Sequence, residues 1–186
     1  LDKPRPTRAE LLAAAGGFVP DLIAPNLIVL FCGINPGLYS AAIGHHFGRP
    51  GNRFWGALHL GGFTDRLLTP HEEHELLARG YGITNMVARA SARADELSTA
   101  ELLEGRSILM DKVERHRPRV LAVLGLGAYR TGFQQADAAV GLQAGRIGDT
   151  VVWVLPNPSG LNAHYKLEEL GAQFAQLRAH SEQLQQ

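Results

Sequence analysis

Two short stretches place polar side chains where chemistry is done. In Gly33-Ile34-Asn35-Pro36-Gly37 an amide stands beside a proline and between glycines. In Pro156-Asn157-Pro158-Ser159-Gly160-Leu161 a second amide stands between two prolines. An amide is no general base, but it accepts and donates hydrogen bonds and so can orient a water. The other reading of both residues is that they close strand-end turns, a common use of Asn. Gly125-Leu126-Gly127-Ala128-Tyr129-Arg130 half-resembles a dinucleotide fingerprint, but Arg130 replaces the third glycine, and Asp149 precedes a strand where the fingerprint needs it to end one. A nucleotide-binding enzyme is therefore the weaker alternative. His71-Glu72-Glu73-His74 is not the His-Glu-x-x-His zinc pattern, and His45-His46 alone is no metal site. No Gly-x-Ser-x-Gly nucleophile turn is present.

Both amide stretches directly follow apolar runs, Leu27 to Cys32 and Val151 to Leu155, which read as buried strands ending in pre-shaped loops. Two further strands are predicted at Tyr81–Val87 and Val120–Leu124. Helices are predicted between them: Arg53–Leu60; a capped helix from Thr69-Pro70-His71-Glu72 to Ala78; Ser98 to about His116; Gly127–Gln135; and Lys166 to about Ala179. Leu38–Asn52 is expected to be a long irregular loop, Ala88–Leu97 a connection, and Gly141–Gly148 a turn-rich link. Residues 1–25 read as an appended arm with a short helix from Thr7 to Ala15, and residues 26–186 as a single domain. Strands alternating with helices, and apolar throughout, mean a parallel sheet covered on both faces. Ligands in such sheets sit at the carboxyl ends of the strands. Asn35 and Asn157 then share one rim and one active site.

The totals exclude several classes. A chain of 186 residues with 45% hydrophobic content suits one domain with a sizeable core. No apolar run is long enough to cross a bilayer, so no membrane partner is expected. The N-terminus lacks an apolar signal region, and the sequence begins at Leu1, as a trimmed chain does. The single cysteine, Cys32, rules out an internal disulfide, a four-cysteine zinc site and a cysteine-ligated iron–sulfur cluster. A reducing cytoplasm, a monomer and no cofactor are expected. Formal net charge is zero, which argues against tight nonspecific polyanion binding but allows a local basic face, supplied by Arg49, Arg53, Arg89 and Arg93.

Three motifs together resemble a known family. Gly33-Ile34-Asn35-Pro36-Gly37, Pro50-Gly51-Asn52-Arg53-Phe54-Trp55 and Asn157-Pro158-Ser159-Gly160-Leu161 look like the signature of mismatch-specific uracil-DNA glycosylases, which group with thymine-DNA glycosylases in the uracil-DNA glycosylase superfamily. The similarity runs from about Leu22 to Leu177. It implies a three-layer α/β/α fold around a short, mainly parallel sheet of four or five strands. It also implies hydrolysis of the N-glycosidic bond of a flipped deoxyuridine in double-stranded DNA, in mismatches such as G·U, leaving an abasic site at the nucleoid. By position Asn35 matches the catalytic Asn that orients water, Phe47 the aromatic that stacks on the base, and Ser40 a pocket serine. Asn157 stands where the main uracil-DNA glycosylases carry a histidine. Ser159, Gly160, Leu161 and Asn162 fall in the loop that wedges into the duplex. The family often has Arg two residues after the wedge leucine. Here that position is Ala163, so His164 and Lys166, with Arg53, are the expected phosphate contacts.

Physical chemistry fits these implied roles. A base inside a duplex must be extruded, and a mismatched pair lowers the cost. Leu161 would offset part of the lost stacking. Backbone N–H groups of the loop containing Gly33, Ile34 and Gly37 would stabilise the departing uracil anion. Gly37 has no side chain to block the 5-position, so a pocket tolerant of 5-substituted or etheno-modified pyrimidines is expected. Asp95, on the same rim, is either a carboxylate that assists the water or sugar cation, or a solvated loop residue. A catalytically silent mismatch or lesion binder is the alternative function.

Overall fold

The computed structural model describes residues 5–184. The arm expected over residues 1–25 is thus described from Arg5, and the domain expected over 26–186 as far as Leu184. In chain order the elements are α1 (Arg8–Ala13), β1 (Val29–Gly33), α2 (Leu38–Ile43), α3 (Phe54–Leu60), α4 (Glu75–Ala78), β2 (Tyr81–Asn85), α5 (Thr99–His116), β3 (Val120–Leu124), α6 (Leu126–Gly132), β4 (Gly141–Ile147), β5 (Thr150–Leu155) and α7 (Leu167–Gln183). The sheet runs β2-β1-β3-β5-β4, parallel except for β4, which is antiparallel to β5 at the edge. This is a three-layer α/β/α sandwich.

The pleat sorts the core. Val29 and Phe31, Val120 and Ala122, and Val151 and Trp153 face one side, where Phe54, Leu58, Leu170 and Phe174 cover them. Leu30 and Cys32, Leu121 and Val123, and Val152 and Val154 face the other side, against Leu109, Val113 and Tyr129. Phe31 lies at the centre of the first layer, edge-on to Phe54 and stacked on Phe174 at 5.9 Å. Phe174 is fully buried. Phe174→Ala is expected to cost about 3–5 kcal/mol, read as a lowered urea midpoint with an unchanged slope. Burial pushes the Cys32 thiol up to about 12, so it is an inert core residue.

Four expectations are corrected. The stretch Gly141–Gly148 is not a link but β4, closed onto β5 by a turn at Gly148 with φ of +56°. Leu38–Asn52 is not wholly irregular, because it opens with α2, which Gly44 ends in the left-handed region. The Thr69 capping box is present, yet it caps a 3₁₀ turn, Pro70–Glu72, and α4 follows separately. Strand two ends at Asn85, two residues early, although the Met86 and Val87 N–H groups still donate to the Gly33 and Ile34 carbonyls. Ahead of β1, α1 buries no residue, whereas Val19 and Leu22 are buried and Leu22 forms an antiparallel bridge to Ile83.

Candidate active site

Three parallel strands, β1, β2 and β5, end on one rim and deliver the polar residues there. The register pairs Gly33 with Asn85 across β1 and β2. Beyond β1 the chain turns through Asn35 and Pro36 into α2. Beyond β5 it turns through Pro156–Leu161. These loops, with Phe47 and the 91–94 segment, enclose a cavity of about 120 Å³. Gly33, Ile34, Asn35, Gly37, Ser40, Phe47, Asn157, Ser159 and Leu161 all line it.

Asn35 is held firmly. Its Nδ2 donates to the Arg89 carbonyl at 2.9 Å and to the Ser91 hydroxyl at 2.8 Å, and Ser91 donates onward to the Arg93 carbonyl at 2.7 Å. Both amide hydrogens are therefore used, which fixes the amide's orientation and leaves Oδ1 to accept from a guest molecule. The bond across to residues 89 and 91 also explains why an Asn, and not any turn-former, suits this place.

Phe47 has φ of +51°, a backbone conformation disfavoured for a bulky residue. One face of its ring stacks on Phe54 at 4.1 Å. Gly33 is required by close approach: a Cβ there would stand 2.6 Å from Asn85 Oδ1 and 3.3 Å from the Phe47 ring. Gly37 is different, since a Cβ there meets nothing within 4 Å. Ser40 is buried, and its hydroxyl accepts the Gly48 N–H at 2.9 Å. Gly125, first of the half-matched fingerprint, packs against Ile34, whose Cδ1 lies 2.9 Å from its would-be Cβ.

The second loop is an assembled hook. Asn157 Oδ1 accepts the Ser159 N–H at 2.9 Å, and Asn162 Nδ2 donates to the Asn157 carbonyl at 2.9 Å. Asn162 Oδ1 also accepts the His164 N–H, so both amides build the turn. Leu161 is 63% exposed at the tip, an apolar side chain held out into solvent. Gly160 passes so near Gly51 that a Cβ would lie 2.8 Å from the Gly51 carbonyl oxygen.

Arg53 is corrected from its expected role. Its guanidinium donates to the Ser159 and Asn162 carbonyls, each at 2.7 Å, and to that of Tyr165. It is the staple of the hook and is not free for a phosphate. Arg89 is likewise bound by Glu101, which holds that carboxyl down at about 2. Asp95 is not brought to Asn35: its side chain is exposed, absent from the cavity wall, and paired with Arg93 at 2.6 Å. Asp95→Asn is accordingly expected to leave any reaction at Asn35 within about fivefold, since an exposed pair is worth about 0–1 kcal/mol. Arg49 and Arg93 stand on the cavity wall with exposed side chains, and His164 and Lys166 are exposed beyond the hook.

Three residues escaped the sequence reading. Ser91 orients Asn35. Asn85 ends β2 beside Gly33 and lines the cavity. His46, buried, lines it too. Asn85 carried a usable signal, being an Asn at the end of an apolar strand like Asn35. His46 carried none, since its surroundings come from distant segments. Among the described residues no group of three or more His, Cys, Asp or Glu is placed to hold a metal ion, and no helix is long and apolar enough to cross a membrane.

Comparison with known proteins fits this geometry. The fold resembles the solution NMR structure of a candidate uracil DNA glycosylase from Methanosarcina acetivorans, with a TM-score of 0.57 and 19% identity over 88% of this chain and 98% of the other. Residues 20–180 match the profile of the Uracil DNA glycosylase superfamily. That span takes in both amide loops, the hook and every residue of the cavity wall, and the chain belongs to this superfamily.

Proposed function

We propose that this protein is a monofunctional DNA glycosylase that extrudes uracil from G·U and related mismatches in double-stranded DNA and hydrolyses its N-glycosidic bond. The observation that carries the reading is the Asn35 amide, with both hydrogens committed to Arg89 and Ser91 and its oxygen left for a water. The cavity, of about 120 Å³, opens to the rim and so is accessible to a group entering from solvent. Phe47, backed by Phe54, offers a ring face for stacking. Leu161 has the exposure that a wedge needs to fill the vacated stack. Arg49, Arg93 and Lys166 supply positive charge around the mouth for phosphates, and the exposed His164 a further hydrogen-bonding group. The surface pair Arg93–Asp95 is weak enough to yield to one.

In the reaction the sugar develops positive charge and the departing base negative charge. Asn35 Oδ1 would hold the attacking water, and backbone N–H groups of the 33–37 loop would stabilise the base oxygen where charge accumulates. Asn85 reads the pairing edge of the base. The open space at Gly37 leaves the 5-position free, so 5-substituted pyrimidines belong to the same substrate class. Single-turnover release of free uracil from a G·U duplex, with a G·C duplex as control, tests the reading. Selective binding without release would make the protein a mismatch binder.

A further inference from the structure

In the cavity wall a buried histidine has no part in the proposed chemistry. His46 is 2% exposed, and its Nε2 lies 2.9 Å from the Pro20 carbonyl oxygen. A carbonyl only accepts, so Nε2 carries the proton, and in the neutral ring Nδ1 is then an acceptor. Burial supports the neutral form, holding the ring below its ordinary pKa against the opposing influence of Glu73 and Asp21. Nδ1 faces Asn85 Nδ2 at 3.5 Å. Only the amino end of an amide can stand against an acceptor, because the carbonyl end would set lone pair against lone pair. The proton position on His46 therefore dictates which way round the Asn85 amide stands.

The far end of this relay is anchored from several directions. Pro20 lies in a segment whose Leu22 exchanges two backbone hydrogen bonds with Ile83, each at 2.8 Å. The Asp21 carboxylate takes the Thr84 hydroxyl at 2.7 Å and Lys112 Nζ at 2.5 Å. Glu73 accepts the His46 backbone N–H at 2.8 Å and lies 2.9 Å from His45 Nδ1. Asn85 is neighbour in sequence to Thr84, so the same clamp that seats Pro20 also holds the end of β2.

An extruded pyrimidine is read on its pairing edge. Uracil offers an N3–H donor beside the O4 acceptor, whereas cytosine offers an N3 acceptor beside a 4-amino donor. For a base seated with its O2 against the 33–37 backbone, as the excision reading requires, N3 would fall on the Gly33 side and the 4-position on the His46 side. Asn85 Oδ1 lies on the Gly33 side and Nδ2 on the His46 side. That order pairs with uracil at both positions and opposes cytosine at both. We infer that His46, held by Pro20, is a positioning residue that locks the Asn85 amide in the orientation that accepts uracil and rejects cytosine. The inference rests on the excision reading above and adds the device that sets its base choice.

The test uses the full chain and duplexes carrying 2′-fluoro-2′-deoxyuridine or 2′-fluoro-2′-deoxycytidine opposite an abasic-site analogue. Neither base is then paired in the duplex, and the fluorine suppresses cleavage. In His46→Leu the ratio of uracil to cytosine affinity is expected to fall about tenfold or more, the scale of a buried hydrogen bond made with the wrong partner. In His46→Gln, whose amide carries both a donor for Pro20 and an acceptor for Asn85, the ratio stays near that of the parent. In an Asn85→Ala background His46→Leu leaves the ratio unmoved. Should His46→Leu not fold, His46→Asn, too short to span Pro20 and Asn85, takes its place. Equal loss of both affinities, a ratio change that persists without Asn85, or a parent protein that binds both duplexes alike would each overturn the inference. Uracil release from a G·U duplex is scored separately. A protein that releases uracil while its ratio ignores His46 refutes this inference alone, and one that never releases uracil refutes the excision reading.

Discussion

Asn35→Ala is expected to lower single-turnover uracil release by about 100- to 1,000-fold, the range seen when one preorganised polar group is removed from a reacting centre. Duplex affinity should change less than release, because the hook with Leu161 is untouched. The loss has a structural origin that can be checked separately. Asn35 bonds the Arg89 carbonyl and the Ser91 hydroxyl, so its removal also frees the 89–93 segment. Ser91→Ala separates the two effects: it keeps the Asn35 amide and the Arg89 bond but removes one of the two anchors. A smaller loss than in Asn35→Ala is expected there. Equal losses would mean that the loop, and not the amide oxygen, does the work.

The second large effect is at Gly37. Its φ of −74° suits any residue, and a Cβ would meet nothing within 4 Å, so substitution should leave stability within about 0.5 kcal/mol. Gly37→Phe is nonetheless expected to cut uracil release by about 100-fold or more, because an aromatic ring placed at the cavity wall competes with the base for the same space. A single methyl group in a pocket discriminates by about 10- to 200-fold. Gly37→Ala is therefore expected to keep uracil release while depressing that of 5-substituted uracils by about tenfold or more. Release measured over a series of 5-substituents checks both statements. Indifference of the series to Gly37→Ala would place the 5-position elsewhere in the cavity.

The sequence made the central strands plain because each is buried on both faces, and runs such as Val29–Cys32 and Val151–Leu155 leave no other reading. It hid β4 for the opposite reason. A largely exposed edge strand with glycines at 141 and 145, and another at 148 just beyond it, resembles a chain of turns, and only its pairing with β5 makes it a strand. Six-residue α2, bounded by Gly37 and Gly44, was too short for periodicity to show. In the site, Asn35 and Asn157 were legible within motifs and Ser40 and Phe47 by their position between them, and the structure gathers all four around one cavity. The residues fixed by distant partners were not. His46 depends on Pro20 and Glu73, Asn85 on the strand register, and Arg53 on three carbonyls more than a hundred residues away. A loop arginine reads as a surface charge until the chain that it staples is seen.

The co-occurrence of the Pro50–Trp55 and Asn157–Leu161 motifs follows from the same contacts. Gly51 and Gly160 touch backbone to backbone, the Arg53 N–H donates to the Pro158 carbonyl at 3.0 Å, and the guanidinium closes the hook. Phe54 from the first motif backs Phe47 at the cavity. One motif thus shapes both the ring face at the cavity and the hook that presents Leu161, which on the proposed reading would tie extrusion of a base to its capture.

The most direct measurement is the appearance of free uracil, with enzyme in excess, from a duplex bearing one G·U pair, run beside a G·C duplex and the Asn35→Ala protein. Release from G·U alone, lost in Asn35→Ala, is the expected result. Preferential binding of the G·U duplex with no uracil set free, or release that does not depend on Asn35, would contradict the assignment of the rim cavity as a base-excision site.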